Sequence, residues 1–227
     1  MRIYQWFWAL LVILALPLQA EQKTPHETVD VITEELIELI LQAKTYYDKD
    51  PERYYAAVEK LLDPLIDFPS FTRSVMGNYG TREYYQSLDS DQAKAEYRET
   101  YRRFVHVFKE GLINTYAKGL LAFSGQNIVV LPPSEEEKQL IENRKPVDVV
   151  QRISSDGDIY EVVYRMRPDG EGRWLLRNVL IESVNVGSLY RNQFASAMGK
   201  YNQDFSRVVD NWIDEIQQAE DEVQQQW

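Results

Sequence analysis

Ile159-Tyr160-Glu161-Val162-Val163-Tyr164-Arg165-Met166, followed by Pro168-Asp169-Gly170 and then Trp174-Leu175-Leu176, is the stretch that decides the fold. Tyr160, Val162, Tyr164 and Met166 recur at every second position, the period of a strand with one apolar face. Pro168-Asp169-Gly170 carries turn chemistry, and the loop is short enough for a hairpin. Working upstream, Val147 to Ser154 places Val147, Val149 and Ile153 on one face and ends at a second hairpin signal, Asp156-Gly157. Ile128 to Leu131 is a shorter strand, closed by Pro132-Pro133 and an acidic loop, and Trp174 to Val186 reads as the fourth strand. These segments predict a curved, mostly antiparallel four-stranded meander.

The flanking sequence changes to a helical period. Val29, Ile32, Leu36, Leu39 and Ile40 mark an amphipathic helix over Thr28 to Tyr47, and Asp50-Pro51 opens another, Asp suiting the cap and Pro the first turn. A short helix between Ser70 and Tyr79 is expected to end at Gly77. Asp89 to Phe123 is the longest helical pattern, with Tyr97, Tyr101, Phe104, Phe108, Leu112 and Tyr116 at helical spacing. Gly111 and Gly119 interrupt it, each at a cost of ~1 kcal/mol relative to Ala, so a kink or a close contact is expected there. Two more helices follow the sheet, over Ser188 to Lys200 and Gln203 to Glu222. Helices first, a meander next and helices last is an α+β order, with the helices on one face of the sheet and an apolar space between.

Met1 to Ala20 carries one positive charge at Arg2, an apolar run from Trp6 to Leu16, Pro17 and a small Ala20, the layout of a cleaved secretory signal. The run is shorter than the ~20 residues a spanning helix needs. Residues 1–20 are thus expected to be a signal peptide and 21–227 a single domain with an N-terminal helical lobe and a C-terminal helix. Without Arg2, the balance is 24 basic against 36 acidic residues, a net charge of −12. Such a surface disfavours nucleic acid and anionic bilayers. The chain contains no cysteine, which excludes lipid attachment through an N-terminal Cys, disulfides and thiolate metal sites.

The supply of catalytic groups is thin. His26 lies near the start of the expected mature chain and His106 within the long helix, neither with a recognisable partner. Glu34-Glu35, Glu135-Glu136-Glu137 and Glu220-Asp221-Glu222 read as solvated runs, and no spacing of His, Asp and Glu marks a metal site. Ser124-Gly125 and Gly170-Glu171-Gly172 are turns, not a phosphate loop. The excess lies elsewhere, in 15 tyrosines, eight phenylalanines and five tryptophans. The apolar faces of Tyr160 to Met166 and of Val147, Val149 and Ile153 form a wall for the helices, and the space in front of it is either solid core or a cavity.

Asn178-Val179-Leu180-Ile181-Glu182-Ser183-Val184-Asn185, followed by Tyr190-Arg191-Asn192-Gln193-Phe194, resembles a run typical of the toluene-tolerance or Mla-type periplasmic phospholipid-binding family. Supporting pieces in the same order are Val75-Met76-Gly77-x-Tyr79, the series Phe104, Phe108, Leu112, Thr115-Tyr116-Ala117 and Leu120, then Gln126-x-Ile128, Val162-x-Tyr164 and Trp174-x-Leu176. The resemblance covers nearly the whole expected mature chain. Three positions depart from the pattern: Gly80 where the family usually has Trp, Asn178 for Asp, and Ser183 for Gly.

The resemblance implies a non-enzymatic, monomeric periplasmic carrier without cofactor. It would hold the acyl chains of a glycerophospholipid, leave the headgroup largely outside, and shuttle between an outer-membrane lipoprotein complex and an inner-membrane ABC transporter bearing a lipid-binding ring, maintaining outer-membrane lipid asymmetry. Candidate lining residues from the helices are Met76, Tyr79, Phe104, Phe108, Leu112 and Phe194. Those from the sheet are Val147, Val149, Ile153, Tyr160, Val162, Tyr164, Met166, Leu176 and Ile181. Arg191 has two readings: an ion pair with a carboxylate such as Glu182, or contact with lipid phosphate. Two other functions fit the same pattern: a small isomerase-like enzyme, for which Asn178 and Tyr164 are the nameable candidates, and a periplasmic chaperone or adaptor.

Overall fold

A computed structural model describes residues 22–155 and 157–216. The expected signal segment and the tail with Glu220-Asp221-Glu222 lie outside the described residues. Among those described, no helix is long and apolar enough to cross a membrane.

Each early helix starts where a side-chain oxygen can take up a free backbone N–H. Thr24 and Glu27 form a reciprocal capping box at α1 (Pro25–Ala43), Asp50 caps α2 (Pro51–Leu62) and Asp67 caps α3 (Phe68–Val75). Gly77, at φ 56°, ends α3 as expected and opens a 3-10 turn, Gly77–Gly80, before α4 (Arg82–Ser87). The long helix α5 (Asp91–Leu120) is capped by Ser90 and runs unbroken through both glycines. At Gly111 the close-contact reading holds: a Cβ there would lie 2.8 Å from Cδ1 of Ile216. Gly119 has open space beside it.

The sheet has five strands in sequential order, β1 (Asn127–Val130), β2 (Val147–Ser155), β3 (Asp158–Pro168), β4 (Trp174–Ile181) and β5 (Val184–Asn185), all neighbours antiparallel. The expected fourth strand, Trp174 to Val186, is therefore two: Glu182 takes φ 54°, the chain reverses, and Ile181 pairs with Val184. A left-handed φ at a Glu carries no sequence signature, whereas Asp-Gly or Asn-Gly would have marked the turn. The edge of β4 that short β5 leaves free is closed by the segment before α3, where Leu176 N–H donates to Leu65 O and Asp67 N–H to Leu176 O. The expected acidic loop after Pro132-Pro133 is in fact α6 (Glu135–Glu142). Ser134 and Glu137 cap it reciprocally, and three acidic side chains in the first turn suit the positive end of its dipole.

Register assigns the two faces of the sheet. Arg165 opposes and bridges Asp148 at 3.0 Å, and Arg152 opposes and bridges Glu161 at 2.8 Å, so one face is charged and exposed. The other carries Val147, Val149, Met166, Trp174 and Leu176, all buried. α1 packs against β1 and β2, while α3 and α7 (Val186–Lys200) pack against β4. α8 (Phe205–Asp210) and the following residues to Ile216 lie along α5. Burying one face under helices and solvating the other is the α+β arrangement the patterning called for.

Candidate functional site

The strand alternation that identified β3 also places the sheet candidates on one face. Across β2 and β3, Val147 opposes Met166, Val149 opposes Tyr164, Gln151 opposes Val162 and Ile153 opposes Tyr160; across β3 and β4, Tyr164 opposes Val179 and Val162 opposes Ile181. Burial along this face is graded. Met166 is 0% exposed, Val162 9% and Tyr160 46%. Leu176 is 5% exposed, Ile181 36% and Val184 54%. The wall is therefore closely covered at the Val147–Met166–Leu176 end and uncovered beyond Val162, where Ile153, Tyr160, Ile181 and Val184 leave apolar surface accessible.

A polar string crosses the middle of this wall. The Tyr164 hydroxyl donates to Gln151 Oε1 at 2.8 Å, Gln151 Nε2 donates to Thr33 Oγ1 at 2.8 Å, and Thr33 Oγ1 donates to the Val29 carbonyl at 2.8 Å. Gln151 is buried, and each of its two side-chain ends has a partner. The string ties α1 to the sheet. Burial pushes the Tyr164 phenol well above its ordinary range, so it stays a neutral donor. Gln151 was missed by sequence reading, which looked for apolar residues; its in-face position between Val149 and Ile153 was the available signal.

The helical candidates gather in a different place. Phe104 lies 5.3 Å from Phe194 and 5.0 Å from Trp212, Phe108 lies 5.4 Å from Tyr190 and 5.4 Å from Phe71, and Tyr79 lies 6.0 Å from Phe194, ring centroid to centroid. Edge-on and tilted contacts at these separations are those of packed aromatic cores. Phe104, Phe108, Phe194 and Met76 are fully enclosed, and Leu112 is buried. Tyr79 is partly buried, and its hydroxyl donates to Gln203 Oε1. The structure thus brings the sheet candidates into one wall and the aromatic helical candidates into ring contact with Phe71, Tyr190 and Trp212, and the buried members of both belong to one hydrophobic core.

Arg191 does not pair with Glu182. Its Nε donates to the Ser74 carbonyl and a terminal nitrogen to Ser74 Oγ, both at 2.9 Å, so it clamps α7 to the end of α3. The Glu182 carboxylate instead accepts the Glu161 N–H at 2.6 Å. Asn178 is committed as well. Its Oδ1 accepts the Gly187 N–H at 2.9 Å, while Nδ2 donates to Asn185 Oδ1 at 3.0 Å, the same oxygen that caps α7 through Ser188 N–H. His26 is buried at the start of α1; burial lowers its pKa, and the Glu137 carboxylate offsets part of that fall. His106 is exposed. Among the described residues, no group of three or more His, Cys, Asp or Glu side chains is placed to hold a metal ion.

An apolar wall with a neutral polar tether matches the sequence resemblance. The family model for MlaC protein matches residues 30–214. The chain belongs to the MlaC family. A curated relative is the toluene tolerance protein ttg2D of Pseudomonas putida, 29% identical over 212 residues, covering 92% of this chain and 90% of that protein. A solved structure, the phospholipid-binding protein from Ralstonia solanacearum in complex with a phospholipid, superposes with a TM-score of 0.65 at 20% identity. The match covers 86% of this chain and 98% of that one, so the MlaC fold seen here is shared over most of both.

Proposed function

We propose that this MlaC-family protein is a phospholipid carrier that receives acyl chains against the inner face of its sheet, at the end beyond Val162. The observation that carries the reading is the graded burial of β3 and β4, from fully covered Met166 to half-exposed Tyr160 and Val184 on the same apolar face. A solid core would cover all of it, because apolar side chains left in water cost about 25 cal/mol per Å². Ile153, Tyr160, Val162, Ile181 and Val184 are the residues assigned to lipid contact. The Phe104–Phe108–Phe194 cluster is assigned to holding α3, α5, α7 and α8 as one support. The solved relative with a bound phospholipid supports the ligand class. The Tyr164 and Asn178 side chains, the two candidates for proton chemistry, are committed to structural hydrogen bonds, which favours carriage over catalysis.

In this reading the segment 1–20 directs export and is removed. The carrier then works in the periplasm between an outer-membrane lipoprotein complex and an inner-membrane ABC transporter. The need for a carrier is physical: at ~0.8 kcal/mol per methylene, a 16-carbon chain in water costs on the order of 12 kcal/mol. The test is extraction and mass spectrometry of protein purified gently from bacterial periplasm. Diacyl phospholipid of mixed headgroup is the expected content. Protein that is repeatedly empty, while folded, would overturn the proposal.

A further inference from the structure

Helices α3, α4 and α5 surround a hollow of about 450 Å³ on the helical side of the molecule. Its walls carry Arg73, Arg82, Arg98 and Arg102, and the rings of Tyr85, Tyr97 and Tyr101. No carboxylate lines it. In a chain of net charge −11, four arginines around one hollow is a local inversion of sign. Among the described residues, Arg102 is the member of the four that bridges a carboxylate, Glu99 at 2.5 Å, and both of those side chains are largely exposed.

Two of the remaining arginines, Arg73 and Arg98, are held by tyrosines. Arg73 donates to the Tyr101 hydroxyl at 3.3 Å with its guanidinium 5.2 Å from that ring, and Arg98 donates to the Tyr85 hydroxyl with its guanidinium 5.9 Å from the Tyr85 ring. Tyr101 in turn donates to the Pro69 carbonyl at 2.7 Å, and Tyr97 to the Tyr79 carbonyl at 2.6 Å. Tyr97 and Tyr101, one helical turn apart on α5, stack 6.4 Å apart with their planes within 5°. Guanidinium forks fixed in this way lose less entropy on pairing with an oxyanion, and their geometry suits bidentate pairing. Arg and Tyr are also the side chains that most often dominate binding energy between proteins.

We propose that this hollow docks an acidic segment of a partner protein: its carboxylates pair with Arg73, Arg82 and Arg98, and an apolar or aromatic side chain seats on the tyrosine rings. A protein segment fits better than a membrane for an electrostatic reason. An anionic bilayer faces the whole molecule and meets its net negative charge. A short segment inside the hollow is screened from more distant charge beyond ~8–10 Å. The proposal does not rest on the lipid reading, because the arginines lie on α3, α4 and α5 while the lipid wall lies on β2 to β5.

The test uses the full chain and a fluorescently labelled synthetic peptide alternating glutamate and phenylalanine, read by anisotropy, with a glutamine–phenylalanine peptide as control. The acidic peptide is expected to bind, to weaken as salt rises, and to bind about tenfold more weakly to Arg98→Gln and further to Arg82→Gln/Arg98→Gln, one charged hydrogen bond being lost at each step. The control peptide is expected not to bind. Both arginines are exposed, so the variants should melt like the parent, and their lipid content is measured in the same preparations to keep failure here distinct from failure of the carrier reading. Equal affinity of parent and double variant, or no binding of the acidic peptide at low salt, would overturn the proposal. So would binding of phosphatidylglycerol vesicles or of inorganic phosphate through these arginines without binding of the peptide.

Discussion

Replacing Val162 by Trp separates an open wall from a packed one. Val162 sits between Gln151 and Ile181 in register, 9% exposed, with Tyr160 at 46% two residues along the same face and fully buried Met166 four residues the other way. If the space in front of Val162 is solid, an indole there costs ~1–3 kcal/mol in strain. For a domain of this size that is about 2–12 °C in melting temperature. If the space holds an acyl chain, the indole can turn toward Tyr160, and delipidated protein should melt close to the parent. The indole then takes the room of about three methylenes, worth ~2–3 kcal/mol of lipid affinity, near a fiftyfold loss. Met166→Trp is the internal control, since Val147 and Leu176 flank it and the whole side chain is enclosed; it should show the full strain. The assay is calorimetry of delipidated protein with bound phosphate per chain measured after reloading. A large drop in melting temperature for Val162→Trp with lipid retained would refute the open-wall reasoning.

Three further outcomes are expected. Tyr164→Phe removes the donor to buried Gln151 and should cost ~1–3 kcal/mol; adding Gln151→Leu should recover most of it, because replacing both partners with apolar groups is far cheaper than leaving one unpaired. Denaturant titration of both variants checks this, and no recovery in the double variant would count against the string as the cause. Gly80→Ala should destabilise by ~1–3 kcal/mol, since its Cβ would fall on the Arg73 carbonyl oxygen and 2.9 Å from the carbonyl carbon, atoms that cannot swing aside; an unchanged melting curve would contradict it. The third concerns acid. Burial holds His26 below its ordinary 6.5, so above about pH 6.5 it is neutral in both states. As pH falls further the unfolded chain takes up the proton first, and stability drops until the folded pKa is reached. His26→Leu should flatten the fall of melting temperature below about pH 6.5 relative to the parent. Parallel pH profiles would remove His26 as the cause.

What was legible in the sequence was what repeats. Strand alternation gave the inner face of β3 residue by residue and that of β2 apart from Gln151, and helical spacing plus Asp50-Pro51 gave α1, α2 and α5. Two local features escaped for different reasons. The reversal at Glu182 rests on a backbone angle that Glu rarely adopts, so a two-strand hairpin read as one long strand. α6 is legible through Ser134 and Glu137, but a run of three glutamates reads as solvation even where it also stabilises a helix start. The helical site candidates mixed two roles that periodicity cannot separate. Phe104 and Phe108 share spacing with any buried stripe, and only the ring contacts with Phe194, Tyr190 and Trp212 place them in a closed cluster. The sheet candidates differ from them in being graded in exposure, which is a property of what covers a face and not of the face itself.

The three departures from the family pattern act locally, and one of them has a reach beyond its own turn. Asn178 accepts the Gly187 N–H and also donates to the Asn185 side chain that caps α7. Ser183 follows Glu182 in the β4–β5 turn, beside the exposed Ile181 and Val184. Gly80 stands where the family usually has Trp, and it lines the arginine hollow. Because even a methyl group at that position meets the Arg73 carbonyl, an indole there would require the Gly77–Gly80 turn to sit away from α3, and the hollow could not keep its present walls. The open space between Arg73, Arg98 and the tyrosine rings is therefore a consequence of glycine at this one position. Members that carry Trp there should lack the acidic-segment site while keeping the lipid wall, which is built from residues on the sheet.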